Sequence, residues 1–114
     1  MKIFARSEGR ITLQLHLLAV GKDFQVILTG GDAHIGAVAV STADGVQKKH
    51  FGLYGHRELD LAQDLAIRLA QSLRATICVS VGIHYPDISK SEIALILSLA
   101  EELVDDCIVF LQAK

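Results

Sequence analysis

Near the middle of the chain the hydrophobic period changes from two to about 3.6, and few architectures accept that switch. Ile11, Leu13, Leu15 and Leu17 alternate with Thr12, Gln14 and His16, the spacing of a strand with one buried face. Gly21-Lys22-Asp23 interrupts the pattern as a hairpin would. Phe24, Val26 and Leu28 then alternate with Gln25, Ile27 and Thr29 up to Gly30-Gly31-Asp32. His34 to Thr42 predicts a third strand, apolar on both faces, closed by the Asp44-Gly45 turn signal. Val46 to Phe51 predicts a fourth, with Lys48 and His50 outward as on an edge.

After that the period lengthens. Leu59, Ala62, Leu65, Ala66, Leu69 and Leu73 predict a helix from Arg57 to Leu73. Thr76 to Val81 is an unbroken β-rich run, the mark of a buried central strand. Ser89-Lys90-Ser91-Glu92 is a capping box, and the stripe from Ile93 through Cys107 to Leu111 predicts a long second helix. The order ββββαβα implies an α+β fold, expected as an antiparallel meander of about five strands with two helices on one face. The helices cover one face only. The other carries either Ile35, Ala37 and Ala39 or Gly36, Val38 and Val40, according to register. Neither set suits water, so a second copy of the chain is expected there, with Ala39 a position where a charge should disrupt the homodimer.

At 114 residues, 51% of them hydrophobic, one domain spanning 1–114 is expected to bury its own core. The formal charge of −2 and the absence of a Lys/Arg block argue against nucleic acid. No apolar run has transmembrane length and the first residues lack a signal-peptide core, so the expected address is the cytoplasm. Cys78 and Cys107 sit in apolar runs and read as buried, reduced thiols.

Three segments share one character. Gly30-Gly31-Asp32-Ala33-His34-Ile35-Gly36 joins two strands, Gly52-Leu53-Tyr54-Gly55-His56-Arg57-Glu58 joins a strand to a helix, and Gly82-Ile83-His84-Tyr85-Pro86 ends a strand. Each sets a histidine beside glycines, where backbone can approach a ligand. Singly, each is what an ordinary turn contains; together they suggest one pocket. His16 and His50 read as surface residues, and the helix dipole accounts for Asp60 and Asp64. No nucleophile elbow, phosphate-binding loop, dinucleotide fingerprint or local zinc pair is present. A metal held by His34, His56 and His84 from separate loops stays open. Arg57 at a helix start suits a phosphate, and the glycine-rich strand ends suit a flat ring. A phosphorylated planar cofactor fits these pieces better than a peptide or a nucleic acid.

The run from Gly30 to Ala39, then Gly55-His56-Arg57-Glu58, then Gly82-Ile83-His84, resembles the LpdD-like family. The resemblance extends from about Arg10 onward. It implies a fold similar to the proteasome assembly chaperones and a non-catalytic role as a prenylated-flavin chaperone. Proteins of this family accompany UbiD-type decarboxylases, for instance as the small subunit of gallate decarboxylase. It implies prenylated FMN (or FMN) as ligand, made by a flavin prenyltransferase and handed to a UbiD-type decarboxylase of (hydroxy)aromatic acids. The matching motifs give the candidate binding residues Gly30, Gly31, Asp32, His34, Ile35, Gly36, His56, Arg57, Glu58, His84 and Tyr85. Within that set Arg57 is expected to hold the phosphate, the histidines to meet polar ring edges, and Gly31 and Gly36 to let backbone lie against the ring. The alternatives are a small metal- or cofactor-dependent enzyme on His34, His56 and His84, or an assembly chaperone that binds only protein.

Overall fold

The computed structural model describes residues 1–46, 48–53 and 56–113. The first strand, β1 (Lys2–Glu8), hairpins into β2 (Ile11–Val20) and that into β3 (Asp23–Gly31). Gly9 and Gly21 turn the two hairpins at φ of +59° and +62°, a conformation that costs glycine little. A third hairpin follows, β4 (Ala37–Ser41) and β5 (Lys48–Gly52), then α1 (His56–Leu73), β6 (Ile77–His84) and α2 (Lys90–Gln112).

The strands form one mixed sheet in the order β1-β2-β3-β6-β4-β5. This corrects the expected five-stranded antiparallel meander in two respects. The six-stranded sheet begins with β1, whose residues are almost all exposed, so it shows no alternation to read. The last strand, β6, inserts between the hairpins, parallel to β3 and antiparallel to β4. The helix α1 supplies the crossover that a parallel neighbour requires. The third expected strand is shorter than its apolar run: His34 to Gly36 belongs to a loop, and β4 begins at Ala37.

Both helices pack on one face. Phe4, Leu15, Leu28, Val81 and Ala37 stand in one row across the strands, and all but Phe4 are fully buried. Above them lie Ala62, Leu65, Ala66 and Leu69 of α1 and Ala100, Leu103, Val104 and Cys107 of α2. Each large side chain in this layer contributes about 1.5–3 kcal/mol by leaving water. Side-chain bonds pin α2 at both ends. The Ser89 hydroxyl accepts from the Glu92 amide while the Glu92 carboxylate accepts from the Ser89 amide, forming the capping box. On the same face Arg6 of β1 donates to both carboxylate oxygens of Asp106, at 2.9 and 2.8 Å.

Register settles which residues face outward. Ala37 and Ala39 lie under the helices, with Ala39 only 2% exposed, so Ala39 is a core position and not part of a partner face. The open face shows Val38 and Val40 instead. Ile3, His16, Ile27, Ser80, Val38 and Phe51 form a row across all six strands. Cys78 belongs to this face and is half-buried, whereas Cys107 is fully enclosed. His50 is exposed, as expected of a surface residue, but stands on the helix side, where it pairs with Ala39 and meets Gln63 of α1 at 2.7 Å.

Candidate functional site

The described parts of the three glycine-histidine segments meet at the C-terminal end of β6. Gly31 ends β3 at φ +64° and turns the chain across the sheet end. The Asp32 amide donates to the His84 carbonyl at 3.0 Å, and the Gly36 amide to the Val81 carbonyl at 2.8 Å. The loop between them lies so close to β6 that a Cβ on Gly82 would overlap the His34 carbonyl. A Cβ on Gly31 would overlap the His84 carbonyl, and one on Gly36 the Glu58 carboxylate. Close approach is therefore the reason for these glycines, and the group approached is the protein's own chain.

Glu58, in the first turn of α1, is the clamp. Its Oε2 accepts the Ile83 amide hydrogen at 2.9 Å and lies 3.1 Å from His34 Nε2. His34 Nδ1 lies 2.9 Å from the Asp32 carbonyl. Both imidazole nitrogens thus face acceptors, an arrangement only the doubly protonated ring satisfies. The hydrogen bond to the Asp32 carbonyl and then the Glu58 charge raise the His34 pKa above 6.5, against the opposing effect of burial.

Two hollows flank this clamp. On the open face a polar one of about 400 Å³ is lined by Arg10, Thr12, Gln14, Thr29, Gly30 and Gly31. On the helix side an apolar slot of about 160 Å³ lies between the first turns of α1 and α2, bordered by Arg57, Leu61, His84, Ile93 and Leu97. Tyr85 borders both hollows. Its hydroxyl donates to the Thr12 carbonyl at 2.8 Å and accepts the Thr12 amide hydrogen at 2.9 Å, and the Arg10 guanidinium sits over its ring at 5.7 Å.

Gly31, Asp32, His34, Gly36, Glu58 and His84 therefore come together. Gly30 lines the open-face hollow, and Arg57 the helix-side slot. Ile35 is 59% exposed on the loop between them. Gly55 and the His56 side chain lie outside the described residues. Among the described residues no three His, Cys, Asp or Glu side chains group as metal ligands. Thr12, Gln14 and Thr29 carry no signal in the sequence, because alternating polar positions on a strand ordinarily mark solvent, and Arg10 lies in the turn before β2. The slot residues Leu61, Ile93 and Leu97 carry no signal apart from helix amphipathicity.

Comparison with known proteins places these features in context. Residues 7–112 match the family described as the prenylated flavin chaperone LpdD-like domain. A relative named Protein LpdD, from Lactiplantibacillus plantarum, is 29% identical over 119 aligned positions, covering 99% of this chain and 87% of the relative. A crystal structure of a chaperone complex for yeast 20S proteasome assembly superposes with a TM-score of 0.61 at 11% identity, over 98% of this chain and 95% of that one. At that identity the likeness shows the fold alone. No helix among the described residues is long and apolar enough to cross a membrane.

Proposed function

The chain belongs to the LpdD-like prenylated flavin chaperone family, and from that premise we propose that it is a non-catalytic carrier of prenylated FMN. It binds the cofactor after a flavin prenyltransferase has made it and delivers it to a UbiD-type decarboxylase. The observation that carries the reading is the setting of Arg57. Its exposed guanidinium borders an apolar slot one residue before the Glu58 clamp, so a charge-assisted phosphate contact would adjoin a surface for an apolar ring. The residues present fit the group: a fork donor for phosphate and aliphatic walls. The metal-enzyme alternative gains no support from His34, whose two nitrogens are directed at protein acceptors.

Anaerobic co-expression with a flavin prenyltransferase, followed by mass spectrometry of the bound small molecule, tests the reading. Prenylated FMN close to one per chain is the expected result. Arg57→Ala should weaken binding by about 1.5–3 kcal/mol, the worth of a hydrogen bond to a charged group. A chain that purifies without flavin and takes up no reduced prenylated FMN on titration would leave the purely protein-binding chaperone as the better account.

A further inference from the structure

We propose that the slot between the starts of α1 and α2 receives the isoprenoid portion of the prenylated flavin and so tells it from plain FMN. The inference rests on the carrier reading above and adds the part of the ligand that the slot takes.

Size comes first. The slot, at about 160 Å³, is smaller than the ~300 Å³ at which drug-sized ligands begin to fit, so it cannot enclose a three-ring flavin. A compact aliphatic group fits. Chemistry agrees, because Leu61, Ile83, Ile88, Ile93, Ile96 and Leu97 supply its walls. The five-carbon unit by which a prenylated flavin differs from its parent is the apolar part to be sheltered. A second hollow of about 340 Å³ shares Arg57, Leu61, Ile93 and Leu97 with the slot and adds Asp60 and Asp64. Those carboxylates accept from ring N–H groups and repel a second anion. The ring body would then lie in the outer hollow, with Arg57 left for the phosphate.

The slot is also held open. Glu58 ties the start of α1 to β6 through the Ile83 amide, and the Ser89–Glu92 capping box with Arg10 fixes the start of α2. Farther along, an Arg68–Asp105 ion pair joins the helices. The walls are therefore set before the ligand arrives, which limits the ordering cost of binding.

Leu97 is 47% exposed on the slot rim, so a charge there should leave the fold intact. The experiment is anaerobic fluorescence titration of wild type, Leu97→Asp and the slot-filling Ile93→Phe with reduced prenylated FMN and with reduced FMN, each variant first checked by circular dichroism. Wild type should prefer the prenylated form by roughly tenfold or more, given the carbons removed from water. Both variants should bring that preference to within about twofold by weakening the prenylated form more than FMN. Equal binding of both flavins by wild type overturns the inference, as does a preference that survives both substitutions; the carrier reading stands in either case. A Leu97→Asp chain that keeps its preference but no longer binds the decarboxylase also overturns it, making the slot a partner surface. Should wild type bind neither flavin, the carrier reading fails and the inference with it.

Discussion

The imidazole of His34 meets the carboxylate of Glu58 at 3.1 Å, joining the loop after β3 to the first turn of α1. Because Glu58 also holds the Ile83 amide, one carboxylate ties three distant segments into a single site. The bond has a definite pH dependence. The pKa of His34 is raised in the fold, so its contribution to stability is complete below the ordinary value of about 6.5 and is lost as pH rises through the folded value. NMR titration should place the His34 ring above that ordinary value. Amide exchange at Asp32 and Gly36, corrected for intrinsic rates, should quicken once the ring loses its proton. Glu58→Gln should lower the His34 pKa; a ring that titrates at or below about 6.5 in wild type contradicts the clamp.

Gly82 is predicted to be irreplaceable for steric reasons. Its φ is not in the left-handed region, yet a Cβ would strike the backbone of His34, which cannot swing aside as a side-chain tip would. Gly82→Ala should cost about 3 kcal/mol, toward the severe end of overpacking. Gly45 provides the contrast, with φ +74° but Lys48 Cε at 3.7 Å as its nearest neighbour. Gly45→Ala should cost only the left-handed penalty of about 1–2 kcal/mol. Denaturant midpoints of the two variants decide the matter; equal losses would mean that the loop yields freely.

These glycines also show how far the sequence could be read. Glycine beside histidine signalled close approach, and the structure shows it at Gly31, Gly36 and Gly82. What approaches could not be read, because a glycine accommodates a carbonyl oxygen as readily as a cofactor ring. The same limit applies to the sheet. Period-two alternation located β2 and β3, whose inner residues are buried, but an exposed edge such as β1 imposes no alternation. Strand order was hidden for a related reason: β6 reads as central from its apolar run, yet either hairpin could have received it. The slot was illegible because Leu61 and Leu97 follow the same helical pattern as core residues, and only the spacing of the helix starts leaves room between them.

Arg10 and Glu92 give a second titration with the opposite sign. Arg10 donates to both Glu92 oxygens, at 2.7 and 3.0 Å, and to the Pro86 carbonyl at 2.8 Å. With the Ser89 amide it holds the Glu92 pKa down to about 2. A lowered carboxyl pKa contributes stability that is full above the ordinary 4.5 and is lost as pH falls toward about 2. Glu92→Gln keeps an acceptor for the cap but removes the charge. Its urea midpoint should fall below wild type at neutral pH and converge with it in acid; a constant gap at every pH would assign the effect to the cap alone.

The open face leads to the last prediction, that two copies of the chain pack through it. Ile27, Val38 and Phe51 share one row on that face with His16 and Ser80, and Phe51 is 66% exposed. Six strands at about 4.8 Å spacing make the face roughly 24 Å wide, and strands of 5 to 10 residues at about 3.3 Å each give it an area on the order of several hundred Å², the scale of a standard interface of about 800 Å² per partner. A two-fold arrangement would set the apolar row of one copy against that of the other. Light scattering at micromolar concentration should give the mass of a dimer. Phe51→Glu, at an exposed position, should give a folded monomer, whereas Ala39→Asp should unfold the chain because Ala39 lies beneath α1. A monomeric wild type, or a Phe51→Glu chain still dimeric, would move the interface elsewhere.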